Sequence, residues 1–178
     1  MDLSNVRNQI NDIDQDMKNL FEKRMECSGM VASVKLANND AVYKPEREIE
    51  ICNKFKSDRN YLVYIKKIMQ ISRMYQYKQF IDRGVVDDGY FKWLGAENTE
   101  AIKSGGILSI KLNADLDGKA GLTEKEIMSV VADVPLKIAD MTYSDRIFQI
   151  SFVVDSEEDK ESAYILTYLL YKETLKKQ

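Results

Sequence analysis

Apolar residues recur at steps of three and four through the first part of this chain. Val6, Ile10, Ile13, Met17, Leu20, Met25, Val31 and Val34 form one such series between Leu3 and about Asn38, the spacing of a helix face. The helix predicted there has ~35 residues and a length of ~50 Å. Asp2 or Ser4 suits its N-cap, and no proline interrupts it. A small domain cannot bury so long a helix along its whole length, so the pattern asks for a partner. Asn38-Asn39-Asp40 breaks the period as a loop. Pro45 then suits the first turn of a second helix, with Glu46 and Glu48 set against its N-terminal dipole. A third helix is predicted from about Asp58 to Ile81, carrying Leu62, Ile65, Ile68, Met69, Ser72 and Gln76.

The texture changes after Arg83. Gly84, Gly89, Gly95 and Gly105-Gly106 interrupt any long period, and Asp87-Asp88-Gly89 reads as a turn. Residues 83–106 therefore read as a linker, with Tyr90, Phe91, Trp93 and Leu94 apolar enough to pack on a neighbouring domain. Ile107 to Leu112 alternates as a half-buried strand does. A loop follows from Asp115 to Gly121, and Thr123-Glu124-Lys125-Glu126 opens a short helix as a capping box. Pro135 to Tyr143 and Ile147 to Val154 are two more strands joined by a turn at Ser144-Asp145. Ser156 caps a last helix to about Lys176, with Ala163, Leu166, Leu169 and Leu170 inward. The fold class expected is an all-α three-helix domain over residues 1–82 and a small α+β domain over 107–178.

Composition narrows the function classes. Of 178 residues, 44% are hydrophobic, enough for a core, but no apolar run approaches the ~20 residues of a membrane span. The N-terminus lacks a basic stretch followed by an apolar one, so a cytoplasmic location is expected and no membrane partner. Lys and Arg outnumber Asp and Glu by 14 to 12 over residues 1–82 and are outnumbered 12 to 17 beyond. That balance does not make the basic patch nucleic acid requires. With no histidine and two cysteines, Cys27 and Cys52, a metal site is not expected, and the cysteines read as small buried or half-buried residues.

Against this background a set of polar residues stands out in the helical half: Arg7, Arg24, Lys35, Arg47, Glu48, Ser72 and Gln76. Arg24 and Lys35 are eleven residues apart, on nearly one helix face and ~16 Å apart, so their long side chains can bracket a small dianion. Arg7 lies ~25 Å from Arg24 along the same helix. One small ligand cannot touch both within a single chain. Each residue alone has an ordinary explanation, as a solvated or snorkelling cation or a common helix polar residue.

In order and spacing, however, the seven resemble the all-helical class of chorismate mutases over roughly residues 3 to 82. That resemblance implies a rearrangement of chorismate to prephenate in the shikimate route to aromatic amino acids, a [3,3]-sigmatropic step without nucleophile, proton transfer or cofactor. It also implies an intertwined homodimer in which Arg7 reaches the partner's pocket. Arg24 and the partner's Arg7 would hold the two carboxylates, and Lys35 and Gln76 would donate to the ether oxygen. Glu48 would accept from the ring hydroxyl, with Arg47 and Ser72 supporting the pocket. The family often has a carboxylate three residues before Arg47, where this chain has Lys44.

The strand, helix, strand, strand, helix order of the second half resembles the amino-acid-sensing ACT domain, although that family usually adds a fourth strand where this chain ends in helix. This resemblance implies an aromatic amino acid effector bound near Asp115, Gly118 and Gly121, glycines that equally suit a plain tight loop. Two alternatives stay open for the helical half. One is a non-catalytic dimerisation or activator module for another enzyme of the pathway. The other is an isochorismate-pyruvate lyase, whose family shares the scaffold and the cations.

Overall fold

A computed structural model describes residues 2–83, 88–114 and 121–177. The chain divides into two compact units, Met1–Gln79 and Phe80–Gln178.

The first unit is helical. Helix α1 runs Leu3–Ala37, α2 Pro45–Lys54 and α3 Arg59–Asp82; α1 and α3 lie within two residues of their expected bounds, and α2 starts at Pro45 as expected. Pro45 opens α2 with Glu46 and Glu48 in the first turn, where a missing N–H costs nothing and carboxylates complement the dipole. Little of α1 is covered: Ser28 and Ala32 are its buried residues, whereas Ile10, Ile13, Met17 and Leu20 stand exposed. Cys27, expected to be at least half buried, is exposed as well, while Cys52 is half buried. Cys27 is adjacent to Ser28 on α1, so it points ~100° away from the line of the buried Ser28 and Ala32.

The second unit is α+β. Two short helices, α4 Asp88–Leu94 and α5 Ala96–Ser104, occupy much of the segment read as a linker. Their aromatic residues explain why it is folded. Tyr90 is buried against Tyr168 and Tyr171 at ring distances of 5.8 Å, and its hydroxyl meets the Thr167 hydroxyl at 2.7 Å. Burial pushes the Tyr90 phenol above its ordinary pKa, so this hydroxyl stays neutral and hydrogen-bonded.

Gly105 and Gly106 then turn the chain with positive φ, which glycine adopts without steric cost. Strands β1 Gly106–Asn113, β2 Lys137–Ser144 and β3 Ile147–Val154 form an antiparallel sheet in the order β1-β3-β2. Leu108, Ile110 and Leu112 pair with Phe152, Ile150 and Phe148 and are buried on one face. Full burial of such side chains is worth ~1.5–3 kcal/mol each, so these two strands anchor the unit. Every residue of β2 is exposed. Between β2 and β3 the two-residue loop Asp145-Arg146 has both φ positive, as a type I′ hairpin turn requires.

Helix α6, Glu124–Asp133, starts at the expected capping box, with Thr123 accepting from the Glu126 N–H. The last helix, α7 Glu157–Leu175, has a second one, Ser156 with Asp159. Ala163, Leu166 and Leu170 of α7 are buried as expected, but so are Ile165, Thr167, Tyr168 and Tyr171, while Leu169 is half buried. Helix α7 packs on β3 and touches α4, α5 and α6. It is covered on most sides, which an amphipathic reading could not anticipate.

Candidate active site

Helical spacing collects the polar residues. On α1, Arg24, Ser28, Ala32 and Lys35 follow one another at steps of four, four and three, a single stripe. The two small residues between the cations are the buried ones. On α3, Met69, Ser72, Arg73 and Gln76 form a matching stripe, with Met69, Ser72 and Gln76 buried. The loop before α2 adds Val42 and Tyr43, and α2 adds Glu48.

Hydrogen bonds tie these stripes together. The Arg24 guanidinium donates to the Ser72 hydroxyl and, at 3.4 Å, to the Ile68 carbonyl. Ser72 in turn donates to the same carbonyl at 3.0 Å. The Lys35 ammonium donates to the Val42 carbonyl at 2.5 Å and to Gln76 Oε1 at 3.2 Å, which leaves the amide NH2 of Gln76 as that side chain's donor. Burial lowers the pKa of both cations. For Arg24, the nearby Tyr64 and Tyr61 oppose that effect. For Lys35, Asp40 and Glu48 oppose it while Lys44 adds to it.

The remaining expected residues are placed differently. Glu48 is bound by Arg73, whose guanidinium donates to Oε1 and lies 5.4 Å from the centre of the Tyr43 ring. Sequence reasoning missed Arg73, although it sits three residues from Gln76 on the face that carries Ser72. An arginine on such a covered stripe needs a carboxylate, and that was the available signal. Arg47 is not brought to this cluster within the chain. It is exposed and paired with Glu50 at 2.7 Å, because adjacent residues of a helix point ~100° apart. Lys44 pairs with Asp40. Arg7 is exposed, nearly five turns of α1 from Arg24.

In the second unit, a cavity of about 230 Å³ is lined by Trp93, Lys111, Asn113, Gly121, Thr174 and Lys177 among others. Asp115 and Gly118 lie outside the described residues. Gly121 has a packing reason of its own: a Cβ there would stand 2.6 Å from the Asn113 carbonyl oxygen, and the next N–H, of Leu122, donates to that oxygen at 3.0 Å. Among the described residues, no group of acidic residues and cysteines is arranged to hold a metal ion, and no helix is long and apolar enough to cross a membrane.

Residues 6–77 match the family model of chorismate mutase type II, a span holding all seven polar residues from Arg7 to Gln76. The matched span lies within the helical unit, which is similar over those residues to an isomerase family, the chorismate mutases of type II. No curated protein and no solved structure matches the chain.

Proposed function

We propose that this protein rearranges chorismate to prephenate, with the cluster around Arg24, Lys35, Glu48, Ser72 and Gln76 as its pocket. The observation that carries the reading is the joining of Lys35 to Gln76 and of Arg24 to Ser72 across α1 and α3. Those pairs hold donors of the kind that a breaking ether bond and a carboxylate need. The rearrangement needs orientation of a flexible diacid and stabilisation of charge on the ether oxygen. Arg24 supplies a planar fork for a carboxylate, Lys35 and the Gln76 amide supply the donors, and Glu48 accepts from the ring hydroxyl.

The working form is a homodimer in which Arg7 completes the partner's pocket. Its support is the exposed apolar series Ile10, Ile13, Met17 and Leu20 on α1, which a second copy of the helix would cover. In the second unit, an aromatic amino acid binds and tunes the mutase in the manner of an ACT domain. Trp93 with Lys111, Asn113 and Lys177 around the cavity is a setting for a ring and a carboxylate.

Incubation of the purified protein with chorismate, with products separated by chromatography, tests the reading. Prephenate is expected. Pyruvate as the main product would assign the lyase reaction instead, and unchanged chorismate would leave the helical unit as a dimerisation or activator module. Calorimetry with phenylalanine and tyrosine tests the effector, and absence of binding by either removes it.

A further inference from the structure

Glu48 does not stand alone in the cluster. Its Oε1 receives the Arg73 guanidinium, and both side chains are largely withdrawn from water, 12% exposed for Arg73 and 25% for Glu48. Arg73 is itself held from two directions. Its backbone belongs to the α3 stripe that carries Ser72 and Gln76, and its guanidinium carbon lies over the Tyr43 ring. A guanidinium that is stacked and also salt-bridged has little freedom to rotate. The carboxylate it grips is then fixed as well.

Resting on the mutase reading above, we propose that Arg73 is a positioning residue for the reaction. It holds Oε1 of Glu48, so that Oε2 is presented in one orientation to the ring hydroxyl of the substrate. The tie spans α2 and α3, and through Tyr43 it includes the loop whose Val42 carbonyl receives Lys35. Arg73 thereby sets the acceptor for the hydroxyl relative to the Lys35 and Gln76 donors. Small errors in such placement cost turnover steeply, because a misplacement of ~1 Å can lower a rate ~100-fold.

The alternative is that Arg73 only braces α2 against α3, and a double-mutant cycle separates the two. Steady-state kcat and KM for chorismate are measured with thermal unfolding for wild type, Arg73→Met, Glu48→Gln and the double variant. Arg73→Met is expected to lower kcat about tenfold or more with KM changed much less. In the Glu48→Gln background the same substitution should alter kcat by less than about twofold, because with the amide oxygen on Arg73 the other position is an NH2 and no acceptor is left to orient toward the ring hydroxyl. Arg73→Met strands a carboxylate in a poorly solvated place, so Arg73→Lys is a second arm. It keeps the charge without the planar fork and should show a smaller loss of kcat that also vanishes in the Glu48→Gln background.

Equal losses in both backgrounds, or losses of Tm with kcat intact, would overturn the proposal. Wild-type turnover reads the mutase assignment by itself. Failure there and failure of the coupling are thus separate results.

Discussion

At the residue scale the cluster depends on side chains that lose water before any ligand arrives. Lys35 is the sharpest case, since burial lowers its pKa while Asp40, the strongest opposing charge, raises it. If the protonated ammonium donates to the ether oxygen, turnover is complete below the Lys35 pKa and is lost as pH rises through it. The alkaline limb of kcat/KM should therefore lie below the ordinary lysine range. Asp40→Asn should move it lower still, and pH profiles of the two proteins check the sign. Lys35→Ala should lower kcat by about 10²–10³, the usual loss for one preorganised donor, with a smaller change in KM. Wild-type turnover in Lys35→Ala would remove the role. Arg24, Lys35, Ser72 and Gln76 were legible as a set because identity and spacing carry that information. Arg73 was not singled out, because an arginine acquires its meaning from the carboxylate that folding brings to it.

Among the elements, caps and turns were the most legible features. Thr123 with Glu126 and Ser156 with Asp159 start their helices as their sequences dictate. Backbone and side-chain hydrogen bonds from Thr123, with Lys177 nearby, hold the Glu126 carboxyl well down, at about 2. This favourable contribution is full above the usual glutamate value and is lost as pH falls through the folded one. The turn between β2 and β3 lies one residue later than expected, at Asp145-Arg146 rather than Ser144-Asp145, and its cost was hidden. Arg146 sits at φ 63, a left-handed conformation that costs a residue with a Cβ ~1–2 kcal/mol. Type I′ turns favour Asp-Gly, so Arg146→Gly should stabilise the second unit by ~0.5–1 kcal/mol after the entropy of glycine is subtracted. Chemical denaturation followed by circular dichroism checks this, and a lower midpoint would contradict it.

For the whole molecule, the long first helix is the dominant fact. Arg7 and Arg24 are ~25 Å apart on it, so a shared site predicts complementation between chains. Arg7→Ala and Arg24→Ala homodimers should each be nearly inactive, and mixed dimers refolded from both should regain activity, because one of their two sites is intact. Heterodimers that form without activity would place Arg7 outside the reaction. The second unit poses a different question. Its strand and helix order was legible, yet the segment before it was read as a linker and holds α4 and α5, with Tyr90 and Leu94 buried. Glycine spacing marked the interruptions, but it could not show that the aromatic residues between them fold onto α7.

The sequence by itself determined helices α1 to α3, α6 and α7, the three strands and the caps of α6 and α7, and a family resemblance picked out the polar set of the first unit. The elements and caps follow from periodicity and local chemistry within a few turns of chain. Tertiary structure alone decided that Arg73 grips Glu48, that α7 is covered on most sides and that β2 is left open. Each depends on which surfaces meet across long separations in sequence. No local pattern encodes that, because the partner that desolvates a side chain is chosen by packing.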